Sequence, residues 1–143
     1  MKISNDQFKI DDKSILNYYE IKSNKPKLLL LHAQGTNSLS FMSVINKLSK
    51  YFHIYLVDYY GHGKSSFNRE KYNLIDIGND IIKFIEEVIK DNVSVLGHSS
   101  GGLIASYIAS NCELCSGLIL EDPPFFASVG DRRFNTYNYV DLS

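Results

Sequence analysis

The sequence predicts an α/β fold, in which a mostly parallel sheet is covered by helices on both faces and preceded by an N-terminal β-hairpin. Short apolar runs of strand length alternate with longer segments in which apolar residues recur every three or four positions. The runs Lys27–His32 and His53–Asp58 are apolar almost throughout, which is typical of strands buried on both faces. Strands that alternate with helices are joined by right-handed crossovers, so both faces of the sheet receive helices.

The first part of the chain predicts the hairpin. Gln7–Ile10 and Ile15–Ile21 have strand character, and the polar residues of Asp11–Ser14 between them are a turn signal. Asn24–Pro26 is a second break, after which the first buried strand begins.

Helices and strands then follow in turn. Ser38 is expected to cap a helix that runs through Lys50, and Leu74–Val88 has the spacing of an amphipathic helix. The remaining predicted elements are a short strand at Val93–Leu96, a helix that is apolar nearly all round at Ser100–Ser110, and a strand at Gly117–Glu121.

Composition indicates one globular domain and excludes several classes of protein. The chain has 143 residues, of which 44% are apolar, and its formal net charge is -1, so nothing favours a nucleic-acid partner. No apolar run approaches the roughly 20 residues of a membrane span, and the N-terminus does not resemble a secretory signal. We therefore expect a cytoplasmic protein. Its two cysteines, Cys112 and Cys115, have no second ligand pair for zinc, and they are interpreted as reduced structural thiols with no metal.

The sharpest motif is Gly97–Gly102, with the sequence Gly-His-Ser-Ser-Gly-Gly, which directly follows a predicted strand and opens a predicted helix. This context forces Ser99 into a tight, strained turn, while Gly97 and Gly101 let the strand and the helix approach each other. The helix N-terminus places free N–H groups beside the serine oxygen, where negative charge would develop. Ser99 is therefore the candidate nucleophile, and the alternative is an ordinary glycine-rich turn.

Two other strand ends carry notable residues. The segment Leu31–Gly35 ends a buried strand, and its loop can offer the backbone N–H of Gln34 to an oxyanion, with the N–H of Ser100 as the second donor. The segment Asp58–Ser65 ends in Gly-Lys-Ser, as a phosphate-binding loop does, but Asp58 stands where that loop requires glycine. The second segment is therefore interpreted as a structural glycine turn.

Taken together, these three motifs resemble the α/β-hydrolase fold family in order and spacing, over nearly the whole chain. Ala33 is a departure, because many members have a second glycine there. With a serine at position 99, the chain resembles the esterase, lipase, thioesterase and carbon–carbon hydrolase branches of the family. The resemblance implies a serine hydrolase with a small-molecule acyl substrate and no metal or organic cofactor.

The resemblance also implies that the chain is a single incomplete domain, truncated after the strand that follows the nucleophile helix. Residues 1–122 would form the core, and residues 123–143 would form a tail or the start of a cap region. Family members place the catalytic histidine after the last strand of the sheet. None of His32, His53, His62 and His98 is expected to replace it. Asp122, which ends the last predicted strand, is the tentative catalytic acid.

Two alternatives to an active hydrolase stay open. The chain is then either a non-catalytic remnant or binding protein that keeps the pocket, or one half of a split hydrolase completed by a second chain. Without a base, the hydroxyl of Ser99 stays protonated and is a poor nucleophile.

Overall fold

The computed structural model of the protein describes residues 1–71 and 73–125. Its strands are β1 Ser4–Lys9, β2 Ile15–Ile21, β3 Lys27–Leu31, β4 His53–Asp58, β5 Val93–His98 and β6 Cys115–Glu121. Its helices are a 3₁₀ turn at Ser38–Phe41, α1 Met42–Leu48, α2 Leu74–Phe84 with a π-helical turn at Ile85–Ile89, and α3 Ser100–Asn111.

The strands form one six-stranded sheet in the order β1-β2-β4-β3-β5-β6. The hairpin strands β1 and β2 pair antiparallel, and β2 also lies antiparallel to β4. The pairs β4–β3, β3–β5 and β5–β6 are all parallel. The predicted fold class is thereby confirmed.

Two apolar layers hold the helices against the sheet. On one face, Leu29 and Leu31 of β3 lie in the cluster that includes the apolar residues of α2 and α3. On the other face, Leu28 and Leu30 lie in a second cluster, with Ile45 of α1. Successive strand residues point to opposite faces, so a continuous apolar run supplies both layers at once.

Several predicted boundaries need correction. The first strand is Ser4–Lys9, so the prediction of Gln7–Ile10 was placed too late. Ser38 does not cap the first helix. Instead, Asn37 accepts a hydrogen bond from the N–H of Leu39 at 3.0 Å, while the N–H of Ser38 donates to Asp58 Oδ1 at 2.8 Å. That contact joins residues 20 positions apart, so local spacing could not reveal it.

The helix predicted over Leu74–Val88 changes character before its end. After Phe84 it widens into a π-helical turn that ends at Lys90, whose N–H donates to the carbonyl of Ile85 at 2.7 Å. Ile85 and Ile89 are both buried. Both isoleucines of the wider turn thus belong to the core.

Because β3, β4, β5 and β6 run parallel, their carboxyl ends meet at one edge of the sheet. Leu31 at the end of β3 is in register with Gly97 of β5, and His98 is in register with Glu121 of β6. The three motifs of the sequence analysis are therefore brought together at this edge.

Strand β6 lies at the outer side of the sheet. Among the residues that the structure describes, it pairs with β5 alone, and Leu118, Ile119 and Leu120 are 37–45% exposed. The predicted division into a core at 1–122 and a tail or cap region at 123–143 stays a prediction, since residues 126–143 lie outside the described part.

Candidate functional site

The turn between β5 and α3 has the strained geometry that the sequence predicts. Ser99 has φ 53° and ψ -120°, a conformation that residues with a side chain rarely adopt. A Cβ atom on Gly97 would lie 2.2 Å from the carbonyl oxygen of Gly101. A Cβ atom on Gly101 would lie 2.4 Å from the carbonyl oxygen of Leu31. Both glycines are therefore required for the close approach of strand and helix.

Backbone hydrogen bonds fix Ser99 in this turn. Its N–H donates to the carbonyl of Glu121 at 2.8 Å, and its own carbonyl accepts from the N–H of Gly102 at 2.8 Å. The residue is half-buried. Within 1–71 and 73–125, no side chain forms a hydrogen bond with Ser99 Oγ. The predicted nucleophile is thus held by its backbone and leaves its hydroxyl available.

The two predicted oxyanion donors, Gln34 and Ser100, lie next to each other. The N–H of Gln34 donates to Ser100 Oγ at 2.6 Å, across 66 positions of sequence. Ser100 Oγ also lies 3.2 Å from the hydroxyl of Tyr59. Ser100 is buried and Gln34 is half-buried. The loop after β3 is therefore joined to the first residue of α3 by a side-chain hydroxyl.

His32 supports this loop from the core. It is fully buried, its ring stacks on that of Tyr59 with centroids 4.1 Å apart, and Nδ1 donates to the carbonyl of Ala33 at 2.8 Å. Burial lowers the pKa of His32 to about 4, so the ring is neutral near pH 7. A group with so low a pKa is a weak base, and the expectation that His32 does not replace the catalytic histidine stays a prediction.

Neither His62 nor His53 forms a hydrogen bond with Ser99. His62 packs beside Tyr59, with ring centroids 4.4 Å apart. His53 begins β4 at the opposite edge of the sheet, as predicted, and pairs there with Glu20 at 2.7 Å. His98, the last residue of β5, is half-buried and forms no hydrogen bond with Ser99.

Asp122, the tentative acid, follows β6 with φ 49° and is exposed. Within the described ranges it forms no hydrogen bond with a histidine. The structure therefore places Asp122 beyond the carboxyl end of β6, with no histidine partner within the described ranges, and its role stays a prediction.

A buried carboxylate, whose role local sequence spacing does not reveal, organises the neighbouring turn. Asp58 accepts hydrogen bonds from the N–H of Ser38 at 2.8 Å, the N–H of Lys64 at 3.0 Å and the side-chain amide of Asn17 at 3.1 Å. A Cβ atom on Gly63 would lie 2.2 Å from the Asp58 carboxyl carbon, so only glycine fits there. The segment forms a glycine turn, as interpreted, and two of the three donors to its aspartate, Ser38 and Asn17, come from distant parts of the chain.

Burial by itself would raise the pKa of Asp58. The hydrogen bonds from the backbone of Ser38, the backbone of Lys64 and the side chain of Asn17 outweigh this effect and lower the pKa below its usual value. Asp58 is therefore ionised at neutral pH and acts as an anchor between the loop after β3 and the turn after β4.

Other kinds of site find little support in the described part of the chain. There, no three histidine, cysteine or carboxylate side chains come together as a metal would require. In the same residues, no helix is both long enough and apolar enough to cross a membrane. Cys112 and Cys115 are free thiols after the C-terminal end of α3, and burial raises the pKa of Cys115.

Comparison with known proteins identifies the family. The sequence model of the alpha/beta hydrolase fold matches residues 26–141. The pimeloyl-[acyl-carrier protein] methyl ester esterase of Photorhabdus laumondii is 34% identical over 109 residues, covering 73% of this chain and 39% of the esterase. The human serine hydrolase-like protein is 31% identical over 117 residues, covering 80% of this chain and 58% of the human protein.

The fold comparison agrees with the sequence comparison. The crystal structure of a hydrolase from Pseudomonas aeruginosa PA01 has a TM-score of 0.78 at 24% identity, covering 83% of this chain and 46% of that hydrolase. The chain thus spans between 39% and 58% of the length of these three proteins. By its sequence match and its sheet topology, the chain belongs to the alpha/beta hydrolase fold family.

Proposed function

We propose that this chain carries the nucleophile of a serine hydrolase that acts on an ester, thioester or similar acyl bond, with Ser99 as the nucleophile. The observation that carries the proposal is the position of Ser99. It lies in a strained turn at the start of α3, with the amides of Gln34 and Ser100 close by. The esterase relative supports an acyl substrate.

In the proposed reaction, Ser99 Oγ attacks the acyl carbon and its proton passes to a base. The carbonyl oxygen becomes an oxyanion, which would accept hydrogen bonds from the backbone N–H groups of Gln34 and Ser100. Collapse of this intermediate breaks the bond to the leaving oxygen or sulfur, which takes the proton back from the base and departs as the alcohol or thiol, and an acyl group stays on Ser99. Attack by water then releases the acid and restores the serine.

The proposed reaction requires a general base, and the described residues do not place one beside Ser99. No histidine forms a hydrogen bond with Ser99 in the described residues, and Asp122 would act only by orienting a histidine. We therefore expect slow reaction of Ser99 and weak turnover of p-nitrophenyl acetate by this chain. The same observation favours the alternative of a non-catalytic protein that binds acyl compounds.

The test is labelling by a fluorophosphonate probe, with the modified residue located by mass spectrometry. We expect labelling at Ser99, which Ser99→Ala abolishes while circular dichroism stays unchanged. Ser110→Ala is the matched control, because Ser110 is exposed on the same helix. Labelling that persists in Ser99→Ala would overturn the assignment of the nucleophile. A complete lack of labelling would favour the binding protein.

A further inference from the structure

One of the two proposed oxyanion donors, the backbone N–H of Gln34, is already hydrogen-bonded to the hydroxyl of Ser100. The N–H of Gln34 points at Ser100 Oγ, 2.6 Å away. An amide nitrogen carries a single hydrogen, so this donor is engaged before any substrate arrives. The contact is sheltered, because Ser100 is only 5% exposed.

Tyr59 holds the same hydroxyl from another side. Its Oη lies 3.2 Å from Ser100 Oγ, and its ring packs against those of His32 and His62, with centroids 4.1 Å and 4.4 Å away. Tyr59 is itself 1% exposed, and burial raises its pKa to about 12, so it stays a neutral phenol. A serine hydroxyl can accept two hydrogen bonds and donate one, so both contacts are compatible with a single rotamer.

We propose that Ser100 is a positioning residue. In the resting protein its hydroxyl accepts the hydrogen bond of the Gln34 N–H, and during reaction the oxyanion replaces this hydroxyl as the acceptor. This inference rests on the proposed function. Hydrogen bonds to a charged acceptor are roughly twice as strong as neutral ones. A neutral substrate carbonyl therefore forms a hydrogen bond to the Gln34 N–H that is no stronger than the one it displaces. An oxyanion forms a clearly stronger one. The exchange favours the transition state over the bound substrate.

The first measurement is amide hydrogen exchange of Gln34 by NMR in the full chain. In Ser100→Ala the amide loses its acceptor, and we expect its exchange to be about tenfold faster than in the wild type. Ser100→Cys is the second variant, because it keeps a side chain of similar size whose sulfur is a weak acceptor. It should change the exchange rate in the same direction. Ser110→Ala should leave the exchange of Gln34 unchanged.

The second measurement is the rate of fluorophosphonate labelling at Ser99. Freeing the amide should raise this rate about fivefold in Ser100→Ala, as expected for loss of one competing neutral hydrogen bond. A purely structural role for Ser100 would slow labelling instead. Faster exchange of Gln34 together with slower labelling would therefore overturn the inference, as would unchanged exchange in both Ser100 variants.

The two measurements also separate this inference from the proposed function. Hydrogen exchange of Gln34 does not depend on chemistry at Ser99. If neither the wild type nor Ser110→Ala is labelled, the proposed function is overturned, whatever the exchange rates are. If both are labelled and Ser100→Ala shows neither change, only the role of Ser100 is overturned.

Discussion

Two turns at the carboxyl edge of the sheet contain closely spaced glycines, and they hold the chain in opposite ways. The turn after β4 closes around the carboxylate of Asp58, which accepts hydrogen bonds from Ser38, Lys64 and Asn17. The turn after β5 has no such anchor. It holds Ser99 at φ 53° by backbone contacts to β6 and α3.

Glycine serves a different purpose in each turn. Gly63 leaves space for the carboxyl group of Asp58, whereas Gly97 and Gly101 let the backbones of β5 and α3 come together. One turn therefore satisfies polar groups and stabilises the fold, while the other holds a serine in an unfavourable conformation. Similar sequence motifs can thus support stability in one place and proposed reactivity in the other.

The largest expected effect follows from removing the anchor. Asp58→Ala should lower the free energy of unfolding by about 4 kcal/mol, because three donors lose their acceptor and each such loss costs about 1–3 kcal/mol. Denaturant unfolding at pH 7 measures this change. Asp58→Asn, which keeps one carbonyl oxygen, should lose less.

The control for Asp58 is Asp12→Ala, since the side chain of Asp12 is fully exposed. It should change the free energy of unfolding by less than about 0.5 kcal/mol. The folded-state pKa of Asp58 is lowered, so its contribution is present above its unfolded pKa and is lost as pH falls through the folded value. An equal loss in the Asp58 and Asp12 variants would contradict the anchor.

A somewhat smaller effect is expected from the pH dependence of His32, which packs against Tyr59 in the anchored turn. Its folded pKa of about 4 lies below the unfolded value of about 6.5, so the unfolded chain binds the extra proton first. The contribution of His32 to the free energy of unfolding should be fully present above about pH 6.5, and it should fall by roughly 3 kcal/mol towards pH 4. His32→Phe keeps a ring without this titration, and unfolding curves over this range should be flatter for it. Identical slopes would show that His32 becomes protonated without cost in the folded protein.

The smallest expected effect tests the strain in the other turn. Ser99→Gly should be more stable than Ser99→Ala by about 1 kcal/mol, because glycine adopts a positive φ without a steric penalty. Thermal unfolding of the two variants measures this difference. Ser106, in the middle of α3, is the matched control, since glycine there should be less stable than alanine by about 1 kcal/mol. The same sign at both positions would remove the strain argument.

Local pattern was sufficient for most of the fold. The continuous apolar runs at β3 and β4 located the parallel strands, because such runs are needed to fill both layers of the core. The prediction of Ser38 as a helix cap was wrong, because the N–H of Ser38 is used by Asp58 and the neighbouring Asn37 caps instead. Asn37 and Ser38 are neighbours and both are typical capping residues, and the contact of Ser38 with the distant Asp58 determines which of them caps the turn.

The same distinction between local spacing and contacts between distant segments applies to the candidate site. The strained turn at Ser99 was predictable because the glycines that permit it lie two residues away on either side. The bond between Gln34 and Ser100 and the contact of Ser100 with Tyr59 were not, since each joins segments that are far apart in sequence. Sequence spacing thus located the serine, while the hydroxyl network around it required the folded chain.

The hydrogen bond from the N–H of Ser99 to the carbonyl of Glu121 couples the turn between β5 and α3 to β6, which is one of the two edge strands of the described sheet. In the described residues β6 pairs with β5 alone. A small displacement of β6 would pull on the backbone of Ser99 and alter the direction of its hydroxyl. A contact that makes β6 more rigid would therefore also restrict the backbone of Ser99 through this hydrogen bond.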